Sequence, residues 1–128
     1  MSLIEIFAIL IIHWIADFVL QTDKQAKGKS KNWIDLLSHT FNYSLVWCIP
    51  FVILGLIGYK HYDLGFKQEL VWFPLITFIC HTITDYYTSR LNSKLWSEGK
   101  VHHFFVSVGF DQVLHYVQLF TTYWLLTK

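Results

Sequence analysis

The sequence predicts an all-α fold, a four-helix transmembrane bundle. Three observations point to it. Of 128 residues, 54% are hydrophobic and only 15% are Asp, Glu, Lys or Arg, against roughly 25% charged in an average soluble domain. The apolar residues fall in four runs, about residues 3–20, 33–58, 70–89 and 104–126, and none contains Lys or Arg. Each run is near or above the ~18 residues needed to cross a bilayer core at 1.5 Å per residue. Trp33, Trp72, Trp96 and Trp124 stand at or just beyond run ends, the depth that amphipathic rings prefer. The same composition excludes a disordered tail, a disulfide scaffold and a nucleic-acid module. A net charge of +1 offers no global field for polyanions.

Taken in order, the first run starts after Met1-Ser2 with no basic segment and no small-residue cleavage site, so it reads as a retained helix rather than a signal peptide. Loop one, residues 21–32, is polar and basic and reads as an interfacial connector. Asn32 suits the N-cap of the second helix, and Pro50 predicts a bend within it. Loop two, about residues 59–69, is short. The third run leads into loop three, with Gly99, His102 and His103, and the fourth run closes the chain. Loops one and three carry Lys24, Lys27, Lys29, Lys31, Arg90, Lys94 and Lys100, against Lys60, Lys67 and Lys128 elsewhere. The positive-inside rule then puts those two loops in the cytoplasm and both termini outside. The expected location is a bacterial inner membrane, with residues 1–128 forming one integral domain and the lipid bilayer as partner. Cys48 and Cys80 lie inside runs and read as packing residues.

The four runs repeat a pattern. His13 to Asp17 and His81 to Asp85 read H-x-x-x-D; Asp35 to His39 and Asp111 to His115 read D-x-x-x-H. Two helical hairpins of one kind predict a parallel repeat, with a pseudo-twofold axis along the membrane normal. Residues i and i+4 share a helix face, so each pair aims an imidazole and a carboxylate in one direction. Buried carboxylates without a countercharge cost ~2.5–3.5 kcal/mol each on insertion scales. No run holds a Lys or Arg to neutralise them. One or two divalent metal ions solve the problem, with His13, Asp17, His39, His81, Asp85, Asp111 and His115 as ligands. Asp35 follows Asn32 by three residues, where an acid also serves the helix N-terminus, so it stands as an extra ligand or a cap. Gln21 and Gln112 are placed to orient ligands. His and Asp without Cys suit zinc first, with manganese or iron as alternatives.

A metal with an open position can make a nucleophile of water. The leading expectation is therefore a metal-dependent hydrolase, with Asp85 or Asp111 as base. The depth of the groups points to a lipid or lipid-linked substrate in the cytoplasmic leaflet. Two other classes stand beside it: a divalent-cation or proton carrier, and an interaction protein with a structural metal. No H-E-x-x-H, G-x-S-x-G, phosphate-binding glycine loop or C-x-x-C is present.

The segments His13 to Thr22, Leu36 to His39, His81 to Trp96 and His103 to His115 resemble an uncharacterised family of small membrane proteins of bacteria and phages. Phe104 to His115 is the most specific part. That family is distantly similar to membrane proteins described as metal-dependent hydrolases. The resemblance implies a motif of His13, Asp17, Gln21, His39, His81, Asp85, Asp111, Gln112 and His115, with Asp35 outside it.

Overall fold

Local capping chemistry sets the first boundaries. Helix α1 runs Leu3–Trp14; the Ser2 hydroxyl accepts from the Glu5 N–H, and the Glu5 carboxylate accepts from the Ser2 N–H. This reciprocal box satisfies two N–H groups that the first turn leaves without helical partners. A π-turn, Ile15–Val19, follows directly, with the Leu20 N–H donating to the Ile15 carbonyl at 2.9 Å. Thr22 and Gln25 form a second capping box that starts the short helix α2, Asp23–Gly28. Helix α3 runs Trp33–His61 and continues through Pro50. Asn32 caps it as the sequence predicts, its Oδ1 accepting from the Asp35 N–H at 2.8 Å. A 3₁₀ turn, Gln68–Trp72, leads into α4, Phe73–Ser97, and α5 spans Val101–Leu126. The structure, a computed structural model, describes residues 1–61 and 68–128. Most of the predicted loop two lies outside the described residues.

Gly99 makes the α4–α5 corner. Its φ is +68°, where a side chain is strained. The Gly99 N–H donates to Trp96 O and the Lys100 N–H to Leu95 O, both at 3.0 Å, the paired bonds of a Schellman stop. Three residues therefore reverse the chain and lay α5 along α4.

The long helices close a ring: α1 and its π-turn touch α5 and α3, α3 packs on α4, and α4 on α5. One end holds an apolar cluster of Ile9, Ala16, Tyr43, Trp47, Phe73 and Leu119. Most other buried side chains are polar, Leu36 and Leu70 being apolar exceptions. The buried positions of α4 are Phe73, Thr77, His81, Asp85 and Ser89, an unbroken i, i+4 stripe that turns from apolar to ionisable along the helix. On α5 the buried stripe is Asp111, His115, Leu119 and Thr122.

The membrane reading needs correction. Among the described residues, no helix is long and apolar enough to cross a membrane, so the four spans, the inner-membrane location and the assigned orientation fall. The physical reason lies in the runs themselves. They lack Lys and Arg, but His81, Thr82, Thr84, Asp85, Thr88 and Ser89 dilute the third, and Ser107, Asp111, Gln112, His115 and Gln118 the fourth. Absence of basic residues is not the same as apolarity. Helix bounds shift too: α4 continues to Ser97, and the predicted loop one contains α2.

A candidate metal centre inside the bundle

The i, i+4 spacing brings the ionisable groups together where the four helices face one another. Asp17 is 4% exposed, Asp85 and His39 1%, and His81 fully buried. His39 Nε2 lies 3.0 Å from Asp17 Oδ1 and 3.3 Å from Asp85 Oδ2. His81 Nε2 lies 3.5 Å from Asp17 Oδ1, 3.6 Å from Asp85 Oδ2 and 3.2 Å from His39 Nε2. On the other side of Asp85, His115 Nε2 is 3.3 Å from Asp85 Oδ1 and 3.4 Å from Asp111 Oδ1. Two sets of converging ligand atoms result, Asp17–His39–His81–Asp85 and Asp85–Asp111–His115, and each set fits around one ion. They share Asp85, which turns one oxygen to each.

Orphaned atoms test the fit. Among the described residues, His115 Nε2 and Asp111 Oδ1 are buried and make no hydrogen bond, despite their 3.4 Å approach. Together with an Asp85 oxygen they lie close enough for one ion to meet all three. The two Nε2 atoms of His39 and His81 likewise face each other, and at most one proton fits between them. The donor set of neutral imidazole and carboxylate suits a divalent metal.

The π-turn is what aims Asp17. Its additional residue rotates the chain after His13, so His13 Nε2 stands 3.8 Å from Asp17 Oδ2 while Asp17 Oδ1 reaches His39. Such turns recur at functional sites. His13, a predicted ligand, lies outside both sets. Its Nδ1 is 2.6 Å from the Tyr43 hydroxyl and its Nε2 is 2.8 Å from Gln112 Oε1. The pattern is satisfied when Nε2–H donates to Gln112 and Nδ1 accepts from Tyr43. Gln112 Nε2 also donates to Asp111 Oδ2 at 3.1 Å, and the Gln21 amide lies 3.0 Å from His39 Nδ1. Both glutamines thus contact members of the His/Asp cluster.

Asp35 is elsewhere. It accepts from the Asn32 amide at 2.7 Å and lies 3.9 Å from the Lys24 ammonium, so it serves the start of α3 and not the cluster. A Cβ at Gly28 would collide with the Asp35 carboxylate. Glycine at that position lets α2 close onto α3, and the Gln25 amide donates to the Ser38 hydroxyl at 3.0 Å across the same contact. His102 and His103 are exposed and face each other.

Sequence reasoning missed two residues. Lys29, just after α2, donates from Nζ to Asp85 Oδ2 at 2.8 Å. The expectation that no basic side chain reaches the acids is therefore wrong: the chain supplies one from loop one, not from within a run. The signal was a lysine following a capped turn whose Gly28 permits close approach. Tyr43 was hidden in an apolar run. Its ring stacks on His81 at 3.9 Å, and His81 stacks on His115 at 4.2 Å.

The charges follow from these contacts. Burial alone would raise both carboxyls. The His39 bond and His81 hold Asp17 far below the usual range, and His81 and Lys29 do the same for Asp85. Burial pushes the His81 ring well down, against the opposing pull of Asp85 and Asp17. Burial also opposes the charge on His115, but Asp111 and Asp85 outweigh it and raise the ring to about 9. Lys29 is likewise raised, because Asp85 and Asp17 outweigh its burial.

A cavity of about 610 Å³ opens on the cluster between α2 and the α4–α5 pair, with Asp17, Asp111 and Gln112 in its wall. No curated protein and no solved structure matches the chain. One family does, over residues 6–128, nearly the whole sequence and every residue of the cluster. The chain belongs to the family described as "Protein of unknown function (DUF3307)".

Proposed function

We propose that the chain is a metal-dependent hydrolase whose two divalent ions share Asp85. The observation that carries this reading is the division of the Asp85 carboxylate, Oδ2 toward His39 and His81 and Oδ1 toward His115. Paired ions ~3.5–4 Å apart are a recurring hydrolytic arrangement. When bound, such ions supply Lewis acidity and lower the pKa of water. Zinc is the first candidate, then manganese or iron, by the donor set.

The remaining chemistry belongs to the chain. Asp111 is the proposed base. It lines the cavity; its Oδ1 would meet the ion beside His115, and its Oδ2, which accepts one bond from Gln112, keeps a lone pair to take a proton from water. Asp85 would contribute one oxygen to each ion, and His81 and Lys29 keep it ionised. His13 fixes Gln112, and Tyr43 fixes His13. Lys29 supplies a positive charge beside the reacting centre. The lipid-linked substrate expected from membrane depth has no basis once the spans fall.

The test is turnover of carboxyl-ester and phosphate-ester chromogenic substrates by the zinc-, manganese- or iron-loaded chain. Activity should vanish with chelator and return with metal. Asp111→Asn should lower kcat by about 10²–10⁴ while the Asp17–His39–His81–Asp85 group keeps its ion. Full metal occupancy with no turnover of either ester class would favour a structural metal and overturn the hydrolase reading.

A further inference from the structure

The cavity beside the cluster has its own polar wall. Its basic side chains are Lys27, Lys29 and Lys31, and Ser89 and Asn92 line it from α4. Ser89 is 7% exposed. Among the described residues, Ser89 Oγ and Asn92 Oδ1 are buried atoms with no hydrogen-bond partner. Buried polar atoms normally find partners. Both residues line the cavity whose wall also includes Asp17 and Asp111. They are therefore built for something that enters the cavity and carries hydrogen-bonding groups.

Charge selects its class. Resting on the metal reading above, two divalent ions beside Asp17, Asp85, Asp111 and the Lys29 ammonium leave positive charge in excess. Lys27 and Lys31 add more at the mouth. In a partly buried site that excess demands an anion with several acceptor oxygens. Trp96 and Phe104, edge to face at 5.0 Å, supply an apolar wall farther out.

We propose that this cavity binds a phosphate monoester, with Ser89, Lys29 and the two outer lysines on the phosphoryl oxygens. Asn92 takes a hydroxyl of the esterified group, and Trp96 and Phe104 its apolar part. The reaction consumes one water. A bond forms from water oxygen to phosphorus and the ester P–O bond breaks. Its electron pair leaves on the alcohol oxygen, which gains one proton of the water. The products are the alcohol and inorganic phosphate. Lys29 has two partners in this account: Asp85 behind it and the substrate in front.

Inorganic phosphate is the probe. Zinc content of the full chain is measured first by mass spectrometry, then phosphate binding by calorimetry. The zinc-loaded chain should bind one phosphate. Ser89→Ala, and separately the exposed pair Lys27→Ala with Lys31→Ala, should each weaken it about tenfold with zinc content unchanged. Acetate should bind at least tenfold more weakly than phosphate. A chain that takes zinc but not phosphate, phosphate affinity unmoved in both variants, or acetate bound as tightly would overturn this inference and leave the metal reading standing. A chain that takes no zinc would overturn both.

Discussion

Asp85 and Lys29 meet at 2.8 Å, the carboxylate 1% and the ammonium side chain 18% exposed. Removing one partner of a buried pair leaves the other charge uncompensated, at about 3–5 kcal/mol. Lys29→Met should therefore destabilise the chelator-treated chain by about 3 kcal/mol, and zinc should restore much of it because an ion takes over beside Asp85. Denaturant melts with and without zinc check this; equal losses in both conditions would contradict it. The pairs His81–Asp85 and Asp111–His115 were legible in the sequence because i, i+4 spacing fixes a shared face before any fold is known. Lys29 was not, since it reaches the site from a turn, where spacing carries no direction. Asp35 carries the same pattern as Asp111, yet Asn32 three residues earlier claims it for a cap. His13 carries the same pattern as His81, yet Tyr43 and Gln112 occupy its two nitrogens.

At the scale of elements, capping residues set three helix starts, of which only the Asn32 cap was read from the sequence. Ser2, Thr22 and Asn32 each sit three residues before the acid or amide that answers them. Gly99 marks the end of α4 through its positive φ and two Schellman bonds. Nothing lies within 4 Å of a Cβ built there, so Gly99→Ala meets no steric obstacle and isolates the backbone cost, about 1–2 kcal/mol. A thermal melt showing no loss would mean that the corner tolerates another conformation. The π-turn was not legible. Its five residues, Ile15 to Val19, have no composition that separates them from α-helix. Likewise α2 hid in a segment read as a connector, because its helix is brief and its lysines dominate the composition.

The whole molecule keeps its polar stripes inside. The sequence showed helices with no charged face, and that pattern was read as membrane spans; the structure shows the charged face turned inward, with no helix among the described residues long and apolar enough to span. Periodicity therefore gave the helices and their facing, but not the medium around them. The interior also sets the pH dependence of the chelator-treated chain. Burial holds His81 below 6.5, so its contribution is present above that pH and is lost as acid forces a proton onto the ring. Asp111 and Asp85 raise His115 from 6.5 to about 9 against its burial, so its contribution is complete below 6.5 and lost as pH rises through about 9. Stability should thus peak near pH 6.5 and fall on both sides. Zinc should move the optimum upward by competing with the His115 proton; a flat profile by thermal melt would contradict these charge assignments. The most direct test is the zinc content of the purified full chain, measured by mass spectrometry after loading and removal of loose metal. One ion per ligand set is expected for the wild type. His115→Ala should retain one ion, and Asp85→Ala should hold neither firmly. A folded wild type that binds no divalent ion, or an Asp85→Ala chain that keeps both, would contradict the account.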